Sequence, residues 1–154
     1  MHIPDGFIDL PTSAAFAAIA AAGVAISIRG SKSSLDEKTA PLAGLTATFI
    51  FAVQMLNFPV AAGTSGHLLG AALAAVLIGP YAATLAITIV LILQALLFAD
   101  GGLSALGLSI FNMSLLAVWF GYGVFLLIKK VLPKKKISIS IAAAIAALLS
   151  VPAA

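Results

Sequence analysis

The sequence contains no cysteine and very little charge. Without cysteine it can form no disulfide, no thiolate metal site and no thiol nucleophile. Only 8% of its 154 residues are charged, whereas soluble domains carry about a quarter. With 62% hydrophobic residues and a mean hydropathy of +1.20, the chain cannot cover itself with a surface that water solvates. The composition therefore predicts an integral membrane protein.

Six apolar runs are candidates for membrane helices, which need about 20 apolar residues to span a bilayer. They are residues 11–28, 41–60, 68–78, 81–99, 108–128 and 137–154. The third run is short, and a break rich in glycine and hydroxyl side chains (residues 61–70) leads into it. We predict an all-α polytopic bundle of about six spans. Residues 1–154 form a single membrane domain, with a polar head over residues 1–10 and the helical bundle over residues 11–154.

The charged residues predict the orientation of the bundle. The eight basic residues form two clusters, one holding Arg29, Lys32 and Lys38 and the other within residues 129–136. Four predicted crossings separate the clusters, so both fall on one side, which the positive-inside rule makes cytoplasmic. Asp5, Asp9 and Asp100 then lie outside with the N-terminus. The net charge of +3 is a topology signal and not a nucleic-acid footprint, and a head without basic residues is unlike a signal peptide and should stay attached.

Hydrogen-bonding side chains gather near the outer ends of four predicted spans. They are Gln54, Asn57, His67, Gln94 and Asn112. Polar side chains inside spans usually face a bundle interior or a cavity, and hydrogen bonds between helices explain them as well as a solute pocket does. The break at residues 61–70 favours a cavity, because irregular backbone at membrane depth must be buried or line one. We predict a pocket that is open to the outside.

The first two residues offer three nitrogen donors on adjacent parts of the chain. The Met1 α-amine and the His2 backbone nitrogen can close a five-membered ring around a metal, and the His2 backbone nitrogen and Nδ1 a six-membered ring. If the amide loses its proton, the planar donors suit Ni(II), Cu(II) or low-spin Co(II) better than tetrahedral zinc. His67, the only other histidine, can complete the square. From these residues alone, an incidental surface role for His2 is equally compatible.

A histidine ligand usually has its second ring nitrogen oriented by a neighbouring polar group. Five residues are candidates for this role near the histidines: Gln54, Asn57, Thr64, Ser65 and Gln94.

Three segments resemble the CbiM/NikM family, the substrate-binding membrane subunits of cobalt and nickel energy-coupling-factor transporters. The segments are MHIPDGF, FAVQMLNFPVAAGTSGHLLGAALAAVLIGP and LILQALLFADGGLSALGLSIFNM, and the match covers about residues 1–116. The resemblance implies that the Met1 amine, the His2 backbone nitrogen, the His2 imidazole and the histidine of GTSGH, here His67, hold the metal in a square plane. It implies no prosthetic group, because the ion is the substrate.

The resemblance also implies partners within the lipid bilayer and at its inner face. These are a transmembrane coupling subunit and two cytoplasmic ATPase subunits; any small accessory membrane subunit would be a separate chain. The sequence has no phosphate-binding glycine loop, so ATP hydrolysis falls to the partners. Small residues four apart, Ala43 with Ala47 or Ala14, Ala18 and Ala22, offer faces for close helix contact with a partner or within the chain. Family members usually continue past this length, and the sequence does not decide whether this chain is a truncated form or fragment.

The leading hypothesis is a transport subunit in a prokaryotic cell membrane. It would capture Co(II) for cobalamin synthesis or Ni(II) for metalloenzymes, and the residues do not choose between the two ions. The alternative is a structural or assembly subunit whose polar layer serves only helix packing. An intramembrane enzyme is disfavoured, since the sequence shows neither a nucleophile–base pair nor an H-E-x-x-H motif.

Overall fold

The computed structural model describes residues 2–33, 35–37, 39–61, 64–133 and 135–153, without the side chains of residues 60, 61, 64 and 65. Its elements, in chain order, are α1 (Leu10–Ser31), α2 (Thr39–Gln54), β1 (Phe58–Ala61), β2 (Thr64–Gly66), α3 (Ala71–Ile78), α4 (Pro80–Leu97), α5 (Leu106–Ser109), a π-helical segment (Ile110–Leu116), α6 (Ala117–Val131) and α7 (Lys136–Ser150). The prediction of a helical bundle is confirmed. The hairpin of β1 and β2 is a small addition to it.

Three helical stretches among the described residues are long and apolar enough to cross a membrane: α1, α4 and the continuous stretch Leu106–Val131. The apolar helices α2 and α7 are shorter. Helix α3 has eight residues, which makes it about 12 Å long, and it cannot span about 30 Å of hydrocarbon alone. The count of six spans therefore stays a prediction, with the third predicted span reduced to a half-length helix.

The second predicted span, residues 41–60, is wrong at its C-terminal end, because α2 ends at Gln54. Pro59 prevents a helix from continuing to residue 60, since proline disfavours helical backbone in the residue before it and donates no hydrogen bond. The chain instead forms antiparallel β1 and β2, with Phe58 opposite Gly66. Asn57, predicted near the outer end of the second span, instead lies between α2 and β1, outside the helix.

Helix α4 lies at the centre of the bundle, where it contacts α1, α2, α3 and the π-helical segment. Alanines of α3 and α4 form much of this core: Ala71, Ala74, Ala75, Ala82 and Ala83 are all buried. Small side chains allow helix backbones to approach closely, which is the main source of packing energy inside a membrane. The packing places the C-terminal ends of α2 and α4 beside the segment that leads from β2 into α3.

The two predicted faces of small residues differ in burial. Ala43 and Ala47 pack against the core of the chain itself. Ala14, Ala18 and Ala22 are exposed on α1.

Candidate metal site

The polar head folds over the turn that follows α4. The Gly102 amide donates to the Ile3 carbonyl at 2.8 Å. Asp5 Oδ1 accepts hydrogen bonds from the Ser104 amide at 2.8 Å and from the Ser104 hydroxyl at 2.5 Å. These hydrogen bonds from Ser104 hold the pKa of Asp5 below its ordinary value of 3.8. The head is therefore held both by its backbone and by an ionised carboxylate.

Two glycines after α4 allow this close approach. Gly101 has a φ of +99°, and a Cβ built there would lie 3.0 Å from the Cβ of His2. A Cβ built on Gly102 would lie 2.7 Å from the carbonyl carbon of Pro4. Both contacts are closer than ordinary van der Waals packing permits, so a side chain at either position would push the head away.

The docked head brings the two histidines of the chain together. The ring centroids of His2 and His67 lie 5.2 Å apart, with the ring planes inclined by 28°. Both side chains are almost fully buried, with 6% of the His2 side chain and 6% of His67 exposed. Residues far apart in the sequence thus form one buried imidazole pair between the head and the start of α3.

A hydrogen bond to the backbone shows which nitrogen of the His67 ring is unprotonated. Its Nδ1 lies 3.0 Å from the Leu68 carbonyl oxygen, which can only accept a hydrogen bond, so Nδ1 carries the proton. Nε2 then has a free lone pair, and in this structure it is buried without a hydrogen-bond partner. An unpaired buried acceptor is costly, and a metal ion is one group that would satisfy it.

Two buried glutamines connect the parts of the site. Gln94 Nε2 donates to Gln54 Oε1 at 3.0 Å, and Gln54 Nε2 donates to the Leu69 carbonyl at 2.8 Å. The backbone carbonyl of Gln94 accepts from the Asp100 amide at 3.1 Å. Gln94 therefore links the segment that carries His67 to the turn that holds the head.

The electrostatics keep His2 uncharged near neutral pH. Burial lowers the pKa of His2 below its ordinary value of 6.5, and the neighbouring His67 imidazole acts in the same direction. The carboxylate of Asp100 opposes this shift without reversing it. A neutral imidazole is the form that binds metals.

A polar cavity of about 290 Å³ lies beside His2. Pro4 and Asp5 of the head line one part of it, and Asn57 and Asp100 line another. The cavity has room for a small hydrated ion next to the imidazole pair.

The structure places most of the predicted site residues at this location. His2, His67, Gln54 and Gln94 lie in the network described above, and Asn57 lines the cavity although it lies off the helix. Met1 lies outside the described residues, as do the side chains of Thr64 and Ser65. Asn112 lies half-buried in the π-helical segment.

Sequence reasoning missed the residues that dock the head. The sequence pattern uses Asp5 and Asp100 only to predict topology, and it predicts no role for Gly101, Gly102 or Ser104. The available signal was the sequence Asp-Gly-Gly directly after an apolar run, since paired glycines mark positions where another backbone can approach closely.

Among the described residues, no group of three or more His, Asp or Glu side chains is arranged to hold a metal ion. A metal held by the two histidines therefore needs further donors of another kind. The backbone nitrogen of His2 is one such donor within the head.

Comparison with known proteins identifies the family of this chain. A family model described as "Cobalt uptake substrate-specific transmembrane region" matches residues 2–154. The chain belongs to this family, CbiM. A solved structure described as a truncated transition metal transporter has a TM-score of 0.84 and 36% sequence identity, and the alignment covers 97% of this chain and 72% of that one.

The relatives of this CbiM-family chain include proteins named for nickel transport and proteins named for cobalt transport. A protein of Archaeoglobus fulgidus named for fused nickel transport, NikMN, is 45% identical over 130 residues, which are 84% of this chain and 43% of the relative. The cobalt transport protein CbiM of Geobacter sulfurreducens is 38% identical over 128 residues, which are 81% of this chain and 37% of the relative. The chain thus spans less than half the length of these curated relatives.

Proposed function

We propose that this chain captures Co(II) or Ni(II) as the substrate-specific membrane component of a metal importer. The observation that carries the proposal is the buried pair of His2 and His67, the only histidines of the chain, whose ring centroids lie 5.2 Å apart. His67 offers Nε2, and His2 offers Nδ1 when its backbone nitrogen also binds. Relatives named for nickel and for cobalt transport support this choice of ions.

The proposed ligand set comprises four nitrogens. The Met1 amine, the His2 backbone nitrogen and the His2 Nδ1 form two fused chelate rings, and His67 Nε2 supplies the fourth donor. Four nitrogens in a plane suit Ni(II) and low-spin Co(II), whereas zinc prefers a tetrahedron. A planar set of nitrogens would disfavour zinc, and the choice between cobalt and nickel depends on ion supply and on the partner subunits.

Uptake requires energy that this chain has no residues to supply. We propose that it works in an energy-coupling-factor importer with a transmembrane coupling subunit, two cytoplasmic ATPase subunits and, in some systems, a small accessory membrane subunit. The two basic clusters support a cytoplasmic position for the loops after α1 and α6. The histidine site would then open to the outside of a prokaryotic cell membrane, and the chain itself is not an enzyme.

Ion binding to the purified protein in detergent tests the proposal. Calorimetric titration with Ni(II) and Co(II) should show one site, and His2→Ala and His67→Ala should each weaken binding by more than about 100-fold, beyond the usual effect of losing an outer partner. One extra residue ahead of Met1 should do equal harm, because it removes the amine from the chelate. The matched control is Phe7→Ala, a change in the same head at a side chain that is 79% exposed.

A structural or assembly subunit predicts a different result. In that case the Gln94–Gln54–Leu69 hydrogen bonds would serve helix packing alone. Neither ion would then raise the thermal stability of the protein, whereas a bound ion at about 100 times its Kd should stabilise it by about 2.7 kcal/mol. Unchanged stability and unchanged affinity in the histidine variants would contradict the proposal.

A further inference from the structure

Two unpartnered buried atoms face each other across the site. Among the described residues, His2 Nε2 and Asp100 Oδ2 are both buried and neither has a hydrogen-bond partner. They lie 3.7 Å apart, with 6% of the His2 side chain and 27% of the Asp100 side chain exposed. A hydrogen bond usually measures about 2.7–3.2 Å. The two atoms are therefore less than an ångström too far apart to form one. A small movement of either side chain would join them.

The chemistry of the chelate determines what His2 Nε2 must do. A ring closed through the His2 backbone nitrogen can use only Nδ1, because Nε2 lies on the far side of the imidazole. With Nδ1 on the ion, the neutral ring carries its proton on Nε2. That N–H is a buried donor, and a carboxylate oxygen is a strong acceptor for it. Asp100 is placed where such an acceptor is needed.

The position of Asp100 is fixed independently of His2. Its amide donates to the Gln94 carbonyl at 3.1 Å, and Gly102, two residues on, donates to Ile3 of the head at 2.8 Å. Gly101 between them has a φ of +99°, and a Cβ built there would lie 3.0 Å from the Cβ of His2. The carboxylate therefore sits on a turn that is attached both to α4 and to the docked head.

We propose that Asp100 is the positioning residue for His2. On this view Asp100 accepts the proton of His2 Nε2, holds the ring with Nδ1 towards the ion, and closes the 3.7 Å gap when the ion binds. The inference rests on the proposed function, since it assigns a partner to one of the proposed ligands. Asp100 touches the ligand and not the ion, so it acts through orientation.

Two substitutions of Asp100 show whether it orients the His2 ring or acts only through its negative charge near the ion. Asp100→Ala removes the acceptor and the charge, and we expect Ni(II) affinity to fall by about 10- to 100-fold, the usual effect of losing the partner of a metal-bound histidine. Asp100→Asn removes the charge but keeps an acceptor oxygen, so it should recover most of the affinity lost in Asp100→Ala. If Asp100 acted only as a charge near the ion, Asn and Ala would weaken binding equally, which would overturn the inference.

Two further measurements complete the test. Nitrogen-15 spectra of histidine-labelled, nickel-loaded protein should show a protonated His2 Nε2 in the wild-type protein and in Asp100→Asn, with its signal shifted or lost to exchange in Asp100→Ala. Asp9→Ala removes the same charge at an exposed site without a side-chain cap bond and should leave affinity unchanged. Wild-type protein that binds no ion would refute the proposed function, whereas binding that is equally tight in Asp100→Ala would refute only the role of Asp100.

Discussion

At the scale of single residues, the site depends on backbone as much as on side chains. The head reaches the bundle only because Gly101 and Gly102 leave space for His2 and Pro4. A docked head is what turns His2 from a surface residue into half of a buried pair. The absence of a side chain at these two positions is therefore what allows the head to dock.

Replacing Gly102 by alanine should displace the head. A methyl group there would collide with the Pro4 backbone and break the Gly102–Ile3 hydrogen bond. Losing about two hydrogen bonds at roughly 1 kcal/mol each would lower Ni(II) affinity by about 10- to 30-fold in calorimetric titration. Gly123→Ala is the matched control, because a Cβ there meets nothing within 4 Å. Equal affinity in the two variants would show that the head need not dock.

Sequence alone identified the two histidines but not their surroundings. His2 stands out because it follows the chain terminus, and His67 because it is the only other histidine in an apolar sequence. The Leu68 carbonyl accepts a hydrogen bond from the His67 ring, and the Asp100 carboxylate lies 3.7 Å from His2 Nε2. A backbone carbonyl has no sequence signal, and Asp100 comes near His2 only through a turn whose glycines admit the head.

At the scale of elements, the glutamine pair joins helices that meet only in the folded bundle. Gln54 ends α2 and Gln94 lies in the last turn of α4, and both are fully buried. Their hydrogen bonds lead to the Leu69 carbonyl, two residues from His67. The pair therefore fixes the segment that carries one proposed ligand.

Replacing Gln94 by leucine should weaken both stability and ion binding. The change leaves Gln54 Oε1 buried without its donor, and we expect a loss of about 1–2 kcal/mol in the free energy of unfolding. Thermal unfolding in detergent, with and without Ni(II), measures both effects. Leu96→Ala on the same helix, at a side chain that is 60% exposed, should change neither by much. A Gln94→Leu protein that is as stable and binds as tightly as wild type would contradict a supporting role for the pair.

The long helices could be predicted from composition, but their irregular parts could not. Apolar runs of sufficient length predict α1, α4 and the stretch Leu106–Val131 almost directly. The π-helical segment within that stretch has Ser114 donating to the Thr84 carbonyl at 2.8 Å and paired with Thr88 at 2.9 Å. Such contacts between helices depend on tertiary packing, so no local pattern signals them.

At the scale of the whole molecule, proton and metal equilibria should be linked. The folded pKa of His2 lies below 6.5, so docking of the head is fully stable above that value and weakens as pH falls through it. The folded pKa of Asp5 lies below 3.8, so its contribution is present above that value and is lost only in stronger acid. Between about pH 5 and pH 8, His2 is the group expected to govern docking in the absence of metal.

Ion affinity should therefore rise with pH, and it should keep rising where histidines no longer titrate. An ion that binds through the His2 backbone nitrogen, as proposed, would release one amide proton. Above about pH 8.5, where imidazole and the terminal amine are already neutral, log Kd should still fall by about one unit per pH unit. Titrations in several buffers measure this slope. A plateau above about pH 8.5 would mean that the amide keeps its proton and does not bind.

X-ray absorption at the nickel edge of the loaded wild-type protein tests the central claim most directly. We expect four nitrogen donors in a plane around Ni(II), with this signature lost in His67→Ala and in protein extended by one residue ahead of Met1. An octahedral site with oxygen donors, or a planar site that persists in both variants, would contradict coordination of the substrate ion by the chain terminus and His67.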